Sequence, residues 1–170
     1  MKKREKRNFL VHFLFIIYMV LLVWIILFKL QFSFSEIDKI RSINLIPFYY
    51  DNEVGLHFHL KEVLENAAIF IPLGIYLCML GYEWNIKVKF IIVLMISFLF
   101  ETAQYIMAVG RTDVTDLITN TCGGMAGIAL YELVIGLFHH RKQVDLIITI
   151  LAFIVTVVVL GLLTILLVLN

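Results

Sequence analysis

Eight polar side chains whose types suit hydrogen bonding, proton transfer or anion binding lie in or beside segments that otherwise read as membrane spans. They are Glu65, Asn66, Glu101, Gln104, Arg111, Asp113, Asp116 and Asn120. Because ionisable and amide groups are costly in hydrocarbon, they usually face the interior of a helix bundle and mark either a binding site or a structural lock. The sequence therefore places the candidate site among these residues.

The composition indicates an integral membrane protein. Of the 170 residues, 62% are hydrophobic and only 16% are charged, which is too apolar for a soluble domain. The net charge is +1 and the basic residues are scattered among short connections, which argues against a nucleic-acid partner. Cys78 and Cys122 fall within apolar runs and are interpreted as small apolar fillers, because two cysteines form no disulfide framework.

Five apolar runs predict an all-α, polytopic bundle in a single membrane domain, residues 1–170. The predicted transmembrane helices cover residues 9–30, 63–81, 86–109, 114–138 and 146–169, with an extracellular loop over 31–62. The basic head before the first run is typical of a secretory signal. The apolar part is too long for one and lacks a small-residue cleavage site, so we interpret it as a retained span.

The distribution of basic residues predicts the orientation. If the spans alternate, the amino-terminal head and the connections carrying Lys87, Lys89, Arg141 and Lys142 fall on one side. The positive-inside rule assigns that side to the cytoplasm. The expected location is the cytoplasmic membrane, with the amino terminus inside and the carboxyl terminus outside.

Depth and helical spacing predict one shared site. The polar pairs of the second, third and fourth spans all lie within roughly 15 Å of the outer surface at the rise of an α-helix. Glu101 and Gln104 are three residues apart, and Asp116 and Asn120 are four apart, so each pair shares a helix face. These side chains are therefore expected to converge in the outer leaflet.

Small residues predict how the spans pack. Gly123, Gly124 and Gly127 form a stripe with a GxxxG element, which lets a neighbouring helix approach closely and is also compatible with a homodimer. The fourth span is expected to lie centrally. Pro72 predicts a kink near Ala68, which either shapes a cavity or only improves packing. The last span is almost uniformly aliphatic and is expected to face lipid.

The loop 31–62 carries aromatic side chains that suit the membrane interface. Two interpretations are open: a lid that folds back over the polar layer, or a loop anchored at the interface. His57 and His59 have a spacing that occurs in metal sites, but no third ligand is in register, so neither a metal nor a cofactor is expected.

Several short motifs, in this order along the chain, resemble the VanZ-like family over residues 41–135. The motifs are Asn44-x-x-Pro47-Phe48, Glu65-Asn66-x-x-x-Phe70-x-Pro72-x-Gly74, Glu101-x-x-Gln104, Arg111, and Asp116-x-x-x-Asn120-x-x-Gly123-x-x-x-Gly127. The connection from Arg111 to Asp116 is shorter than in the family pattern, and the last span carries no family motif.

The resemblance implies a bacterial membrane protein of the cell envelope, since the founding member is associated with resistance to teicoplanin, a lipoglycopeptide that acts on cell-wall precursors. The leading hypothesis is non-enzymatic binding, in the outer leaflet, of a lipid-linked cell-wall precursor or of a lipoglycopeptide antibiotic. Membrane lipid is the other expected partner. Arg111 is the candidate to meet an anionic group, because guanidinium pairs bidentately with phosphate or carboxylate.

Three alternatives stay open. The cluster is a structural lock if Arg111 pairs with the neighbouring acids. The protein is a membrane enzyme if Glu101 or Asp116 acts as general acid or base on a lipid-linked phosphate or wall intermediate, with Arg111 stabilising charge. No serine, cysteine or histidine nucleophile arrangement supports that chemistry. A transporter is the third alternative, although five spans show no internal inverted repeat.

Overall fold

Five long α-helices and two short strands make up the part of the chain that the structure describes. This computed structural model describes residues 2–28, 40–49, 56–81 and 83–169, except for the side chains of 2–8, 28, 40, 41, 56–59, 110, 111 and 169. The helices are α1 (Lys2–Phe28), α2 (Leu56–Leu80), α3 (Ile86–Met107), α4 (Val114–Phe138) and α5 (Arg141–Leu169). Each contains an apolar stretch long enough to cross a membrane, so the predicted five-span bundle is confirmed.

The helix ends differ from the predicted spans. Helix α2 begins at Leu56 rather than at residue 63, and α5 begins at Arg141 rather than at residue 146. Helix α3 ends at Met107, because Ala108 adopts a left-handed conformation with φ 55° and caps the helix. Hydropathy detects only the apolar part of a helix, whereas its hydrogen-bonded turns continue into polar residues beyond the hydrocarbon.

The two strands correct the prediction for the connections. Strand β1 (Ile40–Asn44) and the first turns of α2 lie in segment 31–62, which was expected to be a loop throughout, and β2 (Val109–Asp113) replaces the expected turn before α4. The strands pair in parallel, with Asn44 opposite Asp113. Parallel strands need a long crossover, which α2 and α3 supply. The pairing satisfies backbone groups through partners distant in sequence, so a local pattern does not reveal it.

Helix α4 lies centrally, as predicted, and packs against α2, α3 and α5. Its contact with α2 is a backbone contact, because a methyl group added at Gly123 would overlap the carbonyl of Ala67, and one at Gly127 would overlap the carbonyl of Ile71. On α2, Gly74 lies equally close to the α4 backbone. The glycine stripe therefore brings α2 and α4 together within one chain.

A hydrophobic core lies between α1, α2 and α3, and two of its residues flank the proline of α2 in sequence. Phe70 and Leu73 are fully buried, and Phe70 meets Phe100 of α3 edge to face at 6.3 Å between ring centroids. Helix α2 continues through Pro72, and the Tyr18 hydroxyl of α1 donates to the Ile69 carbonyl at 2.7 Å. Tyr18 thus fixes α1 to α2 one turn before the proline, while the kink near Ala68 stays a prediction.

Helix α5 has a largely exposed aliphatic surface, with only 6% of its candidate span buried. Its first turn differs, since Arg141 Nη2 donates to the Cys78 carbonyl at 2.9 Å and Asp145 accepts from the Tyr131 hydroxyl at 2.6 Å. The predicted span, starting at residue 146, does not include this polar turn. Cys78 is buried, as expected of an apolar filler, whereas Cys122 is exposed, so that interpretation is wrong for Cys122.

Candidate functional site

The sheet, the start of α4, the end of α3 and part of α2 meet at one end of the bundle, which we call the polar end. Eight side chains there form the polar cluster: Asn44, Asn66, Ser97, Glu101, Gln104, Asp113, Asp116 and Asn120. Six of them belong to the predicted set, while Asn44 comes from the loop motif and Ser97 was not predicted. The separate elements named in the sequence therefore do converge.

Asp113 connects three parts of the polar end. One carboxylate oxygen accepts from the Thr115 backbone N–H at 2.8 Å and so caps the start of α4. The other accepts from the Asn44 side-chain amide at 2.8 Å. The Asp113 backbone N–H donates to Glu101 Oε2 at 3.0 Å. This single residue therefore joins β1, α3 and α4.

Glu101 is the most buried acid of the cluster, with 5% of its surface exposed. Its side chain accepts the bond from Asp113, and its backbone carbonyl accepts from the Thr112 hydroxyl at 3.2 Å. Because a buried carboxylate without partners is costly, the backbone N–H of β2 stabilises Glu101 at the end of α3. Glu101 is therefore an acid in the interior of the protein, and two further acids, Asp113 and Asp116, lie close to it.

Asn66 and Ser97 bring α2 and α3 to the same face of α4. Asn66 Nδ2 donates to Asp116 Oδ1 at 2.7 Å. One turn further along α4, Asn120 Nδ2 donates to Ser97 Oγ at 3.1 Å, and both side chains are buried. Asp116 and Asn120 therefore share a helix face, as the spacing predicts, but they contact different neighbouring helices.

Two acceptor atoms of the cluster remain open. Asn120 is 2% exposed and Gln104 is 6% exposed. Gln104 Nε2 donates to the Ile26 carbonyl of α1 at 3.1 Å. Among the residues that the structure describes, neither Asn120 Oδ1 nor Gln104 Oε1 has a hydrogen-bond partner. Buried polar atoms in native proteins are usually paired, so each open acceptor calls for a donor from a ligand or from water.

Glu65 does not join the cluster. Its side chain is 61% exposed and lies 3.6 Å from the Lys61 ammonium, one turn earlier on α2. Adjacent residues on a helix point about 100° apart, so Glu65 and Asn66 cannot both face α4. Including Glu65 in the convergent set was therefore wrong. The backbone of Arg111 lies in β2, and its side chain lies outside the described part, so the predicted pairing of Arg111 stays a prediction.

The motif around Pro47 forms a turn attached to the cluster. Tyr49 N–H donates to the Ile46 carbonyl at 3.3 Å, and Phe48 has φ 55°. Proline followed by a positive φ fits a type II turn, although such a φ is unfavourable for a bulky residue. The Phe48 N–H donates to Thr115 Oγ1 at 2.9 Å, which fixes this turn to α4.

Several side chains of this turn are exposed and apolar, including Leu45, Ile46 and Phe48. Exposed apolar side chains are typical of a loop anchored at the membrane interface. The hydrogen bond from Phe48 to Thr115 of α4 is compatible with a lid over the polar layer. Both interpretations of this segment stay predictions. Among the described residues no group of three His, Cys, Asp or Glu side chains has metal-site geometry, and the side chains of His57 and His59 lie outside the described part.

Sequence reasoning missed Ser97, Thr115 and Lys89. Ser97 precedes Glu101 by four residues, so the helical spacing that paired Glu101 with Gln104 also indicates it. Lys89 lies on the same face, two further turns away, and is 4% exposed. Thr115 lies two residues after Asp113, the residue that caps α4. The sequence pattern of a helix start indicates the capping residue but does not single out Thr115.

We predict that the Ser97–Asn120 bond contributes little to stability. Replacing both partners by apolar residues, Ser97→Ala with Asn120→Leu, should change the free energy of unfolding by less than about 1 kcal/mol, because interhelical hydrogen bonds in membranes are individually weak. Thermal unfolding of purified protein in detergent measures this change, with Ser97→Ala alone as the control. A loss of several kcal/mol would identify the pair as a structural lock.

Comparisons with known proteins identify relatives of this chain. The sequence model of the VanZ/LLP1 family matches residues 15–139. The chain is 42% identical over 119 residues to Protein VanZ of Enterococcus faecium, an alignment that covers 69% of this chain and 70% of the relative. No solved structure matches. The range matched by the family model contains the whole polar cluster and extends beyond the predicted 41–135 into α1.

Proposed function

Because the chain belongs to the VanZ/LLP1 family of membrane proteins, we propose that it is a non-enzymatic binding protein of the bacterial cell envelope. In this proposal the polar cluster binds a lipid-linked cell-wall precursor or a lipoglycopeptide in the outer leaflet. Occupancy of the site lowers the access of a teicoplanin-type drug to its target. The same binding accounts for an association with glycopeptide resistance without any change to the precursor itself.

The proposed orientation places the polar end outside. The charges that support it are the basic amino-terminal head, Lys87, Arg141 and Lys142, which all belong to the opposite end of the bundle or to the segment leading into it. Basic residues near the ends of spans favour the cytoplasmic side. The polar cluster then faces the leaflet in which lipid-linked wall precursors and lipoglycopeptides meet.

The two open acceptors are the observation that carries the binding proposal. Asn120 Oδ1 on α4 and Gln104 Oε1 on α3 are buried and have no partner among the described residues, and Glu101 is a buried acid one turn before Gln104 on α3. A site rich in acceptors favours a ligand that donates hydrogen bonds. Sugar hydroxyls, peptide amides and amino groups are such donors, and wall precursors and lipoglycopeptides carry them.

Arg111 supplies the complementary charge in this proposal. Its backbone lies in β2, two residues before Asp113, and a guanidinium remains charged and pairs bidentately with phosphate or carboxylate. A lipid-linked precursor carries phosphate close to the membrane surface. We assign Arg111 to that anionic group and the acceptors of the cluster to the donors of the ligand.

The test compares two Glu→Gln variants of the full chain in lipid nanodiscs. Glu101→Gln replaces the carboxyl group of the buried acid by an amide, and Glu65→Gln makes the same change at an exposed position outside the cluster. With purified precursor or teicoplanin as the probe, Glu101→Gln should weaken binding about tenfold, the effect of losing one hydrogen bond. Glu65→Gln should bind as the unmodified protein does.

The same variants are then expressed in a teicoplanin-sensitive bacterium at equal protein abundance. Protection should be lost with Glu101→Gln and retained with Glu65→Gln. Equal binding and equal protection by both variants would contradict the proposal. Recovery of the bound probe with an unchanged mass supports binding, whereas a converted precursor would overturn the non-enzymatic interpretation.

A further inference from the structure

A second group of polar side chains lies at the end of the bundle opposite the polar end. There the last turn of α2 carries Cys78, the first turn of α3 carries Lys89, and the first turn of α5 carries Arg141. Lys89 is 4% exposed and Cys78 is fully buried, while Arg141 is half-buried. None of these three residues belongs to the proposed ligand site.

The two cations meet different atoms of the same cysteine. Lys89 Nζ lies 3.5 Å from Cys78 Sγ, and Arg141 Nη2 donates to the Cys78 carbonyl at 2.9 Å. The Arg141 guanidinium also lies 5.6 Å from the centroid of the Tyr131 ring. Arg141 therefore caps one of the last carbonyls of α2, a common role for a cation at a helix end.

Capping of a helix end does not explain why the side chain of Lys89 is buried. An ammonium group has three donors, and in the described part of the chain the side chain of Lys89 has one hydrogen-bond partner, a thiol, which is a weak acceptor. Three acids belong to this end in the described part of the chain: Glu83 and Glu132 are exposed, and Asp145 accepts from the Tyr131 hydroxyl at 2.6 Å. A buried charge without a strong acceptor is costly, so the fold favours an anion there.

The helix dipoles add to this preference. Lys89 and Arg141 both lie in first turns, where the exposed backbone N–H groups already carry partial positive charge. Two cations at two such ends attract an anion more strongly than either does alone. Basic pockets between spans on the cytoplasmic side are a known setting for phosphate head groups.

We propose that Lys89 and Arg141 form a binding site for a phosphate group at this end of the bundle. Arg141 is half-buried and Lys89 is buried, and both side chains contact Cys78. The long side chain of lysine can turn its ammonium from the thiol to a phosphate oxygen while its methylene groups stay packed. The phosphate comes either from the head group of an anionic lipid or from a soluble phosphate compound.

Lys89→Met and Lys142→Met form a matched pair for the test. Both remove one positive charge at this end of the molecule, but Lys142 is exposed. In phosphatidylcholine nanodiscs containing phosphatidylglycerol, native mass spectrometry measures how much anionic lipid stays bound to the full chain. Lys89→Met should lower that binding about tenfold, the effect expected for one charge-assisted hydrogen bond. Lys142→Met should leave it within about twofold.

A second measurement separates the two sources of phosphate. Inorganic phosphate is titrated into lipid-free protein in neutral detergent, and the shift of the thermal unfolding midpoint is recorded. A shift in the unmodified protein that Lys89→Met abolishes supports a soluble phosphate ligand, and a response to phosphatidylglycerol alone supports the head group. Lys89→Arg keeps the charge and should retain binding, which guards against a folding defect. Absence of both responses, or equal losses with Lys89→Met and Lys142→Met, overturns the proposal.

Discussion

Gly127→Ala is expected to lower the stability of the helix bundle and the yield of folded protein. The added methyl group would overlap the carbonyl of Ile71, and a backbone atom cannot move aside as a flexible side chain does. Helices α2 and α4 would have to separate along their contact, which also includes Gly123 against Ala67. Overpacking of this kind costs about 1–3 kcal/mol at one position, and Gly123→Ala with Gly127→Ala should exceed that range.

Gly136→Ala is the matched control. Gly136 lies on the same helix, and no atom lies within 4 Å of the position that its methyl group would take. Alanine there should be neutral or slightly stabilising, because glycine is the weaker helix former. The yield of monodisperse protein after extraction and its thermal unfolding midpoint measure both changes. Equal behaviour of Gly127→Ala and Gly136→Ala would show that the close contact of α2 with α4 does not hold the bundle together.

The glycine stripe shows what the sequence predicts well. Apolar runs of spanning length have one stable solution in a bilayer, since a helix satisfies its own backbone. Small residues at a spacing of four on α4, as at Gly123 and Gly127, also predict a close helix contact. Neither inference depends on knowing the partner. The partner surface on α2, which includes the carbonyls of Ala67 and Ile71, becomes visible only in the structure.

The polar end was predictable in part. The convergence of Asn66, Glu101 and Asp116 followed from depth, because the spans alternate and these residues lie near the same membrane surface. The direction of each side chain depends on the rotation of its helix, which depth does not determine. Glu65 shares the depth of Asn66 but points toward Lys61 and away from α4.

The sheet was not predictable from local pattern. Asn44 and Asp113 are separated by α2 and α3 in sequence and become neighbours only when β1 and β2 pair. The alternation of apolar and polar residues in so short a strand cannot be distinguished from the sequence of a polar connection. The burial of Lys89 was not predicted for a related reason, because a lysine near the start of a span is most often a solvated flank, whereas here it is buried beside Cys78.

Exchanging Asn44 and Asp113, the two residues that join the sheet to α4, is expected to restore the stability that either single substitution removes. Asn44→Asp places a carboxylate against the carboxylate of Asp113, and Asp113→Asn leaves an amide donor facing either Asn44 Nδ2 or the N–H of Thr115. Each single variant should lose about 1–3 kcal/mol of stability, the cost of an unpaired buried polar group. The double variant should regain most of that loss.

Every hydrogen bond at this position has an equivalent in the exchanged pair. Asn at position 113 accepts from the Thr115 N–H through its oxygen and donates through its amide to Asp at position 44. That aspartate accepts in turn from the Ile46 N–H, a bond that Asn44 Oδ1 makes at 3.2 Å. The Asp113 N–H to Glu101 bond involves only the backbone of residue 113 and is retained. The exchange therefore moves one negative charge from β2 to β1 without removing a bond.

A double-mutant cycle on the thermal unfolding of the four proteins measures the coupling between residues 44 and 113. The coupling energy should be favourable and at least about 1 kcal/mol, since the two side chains contact each other directly. Asn44 also accepts from the Ile46 N–H at the start of the turn in which Phe48 takes a positive φ, and such backbone strain persists only while neighbouring contacts determine the backbone. Additive losses would mean that β1 and β2 pair independently of the side-chain bond between Asn44 and Asp113.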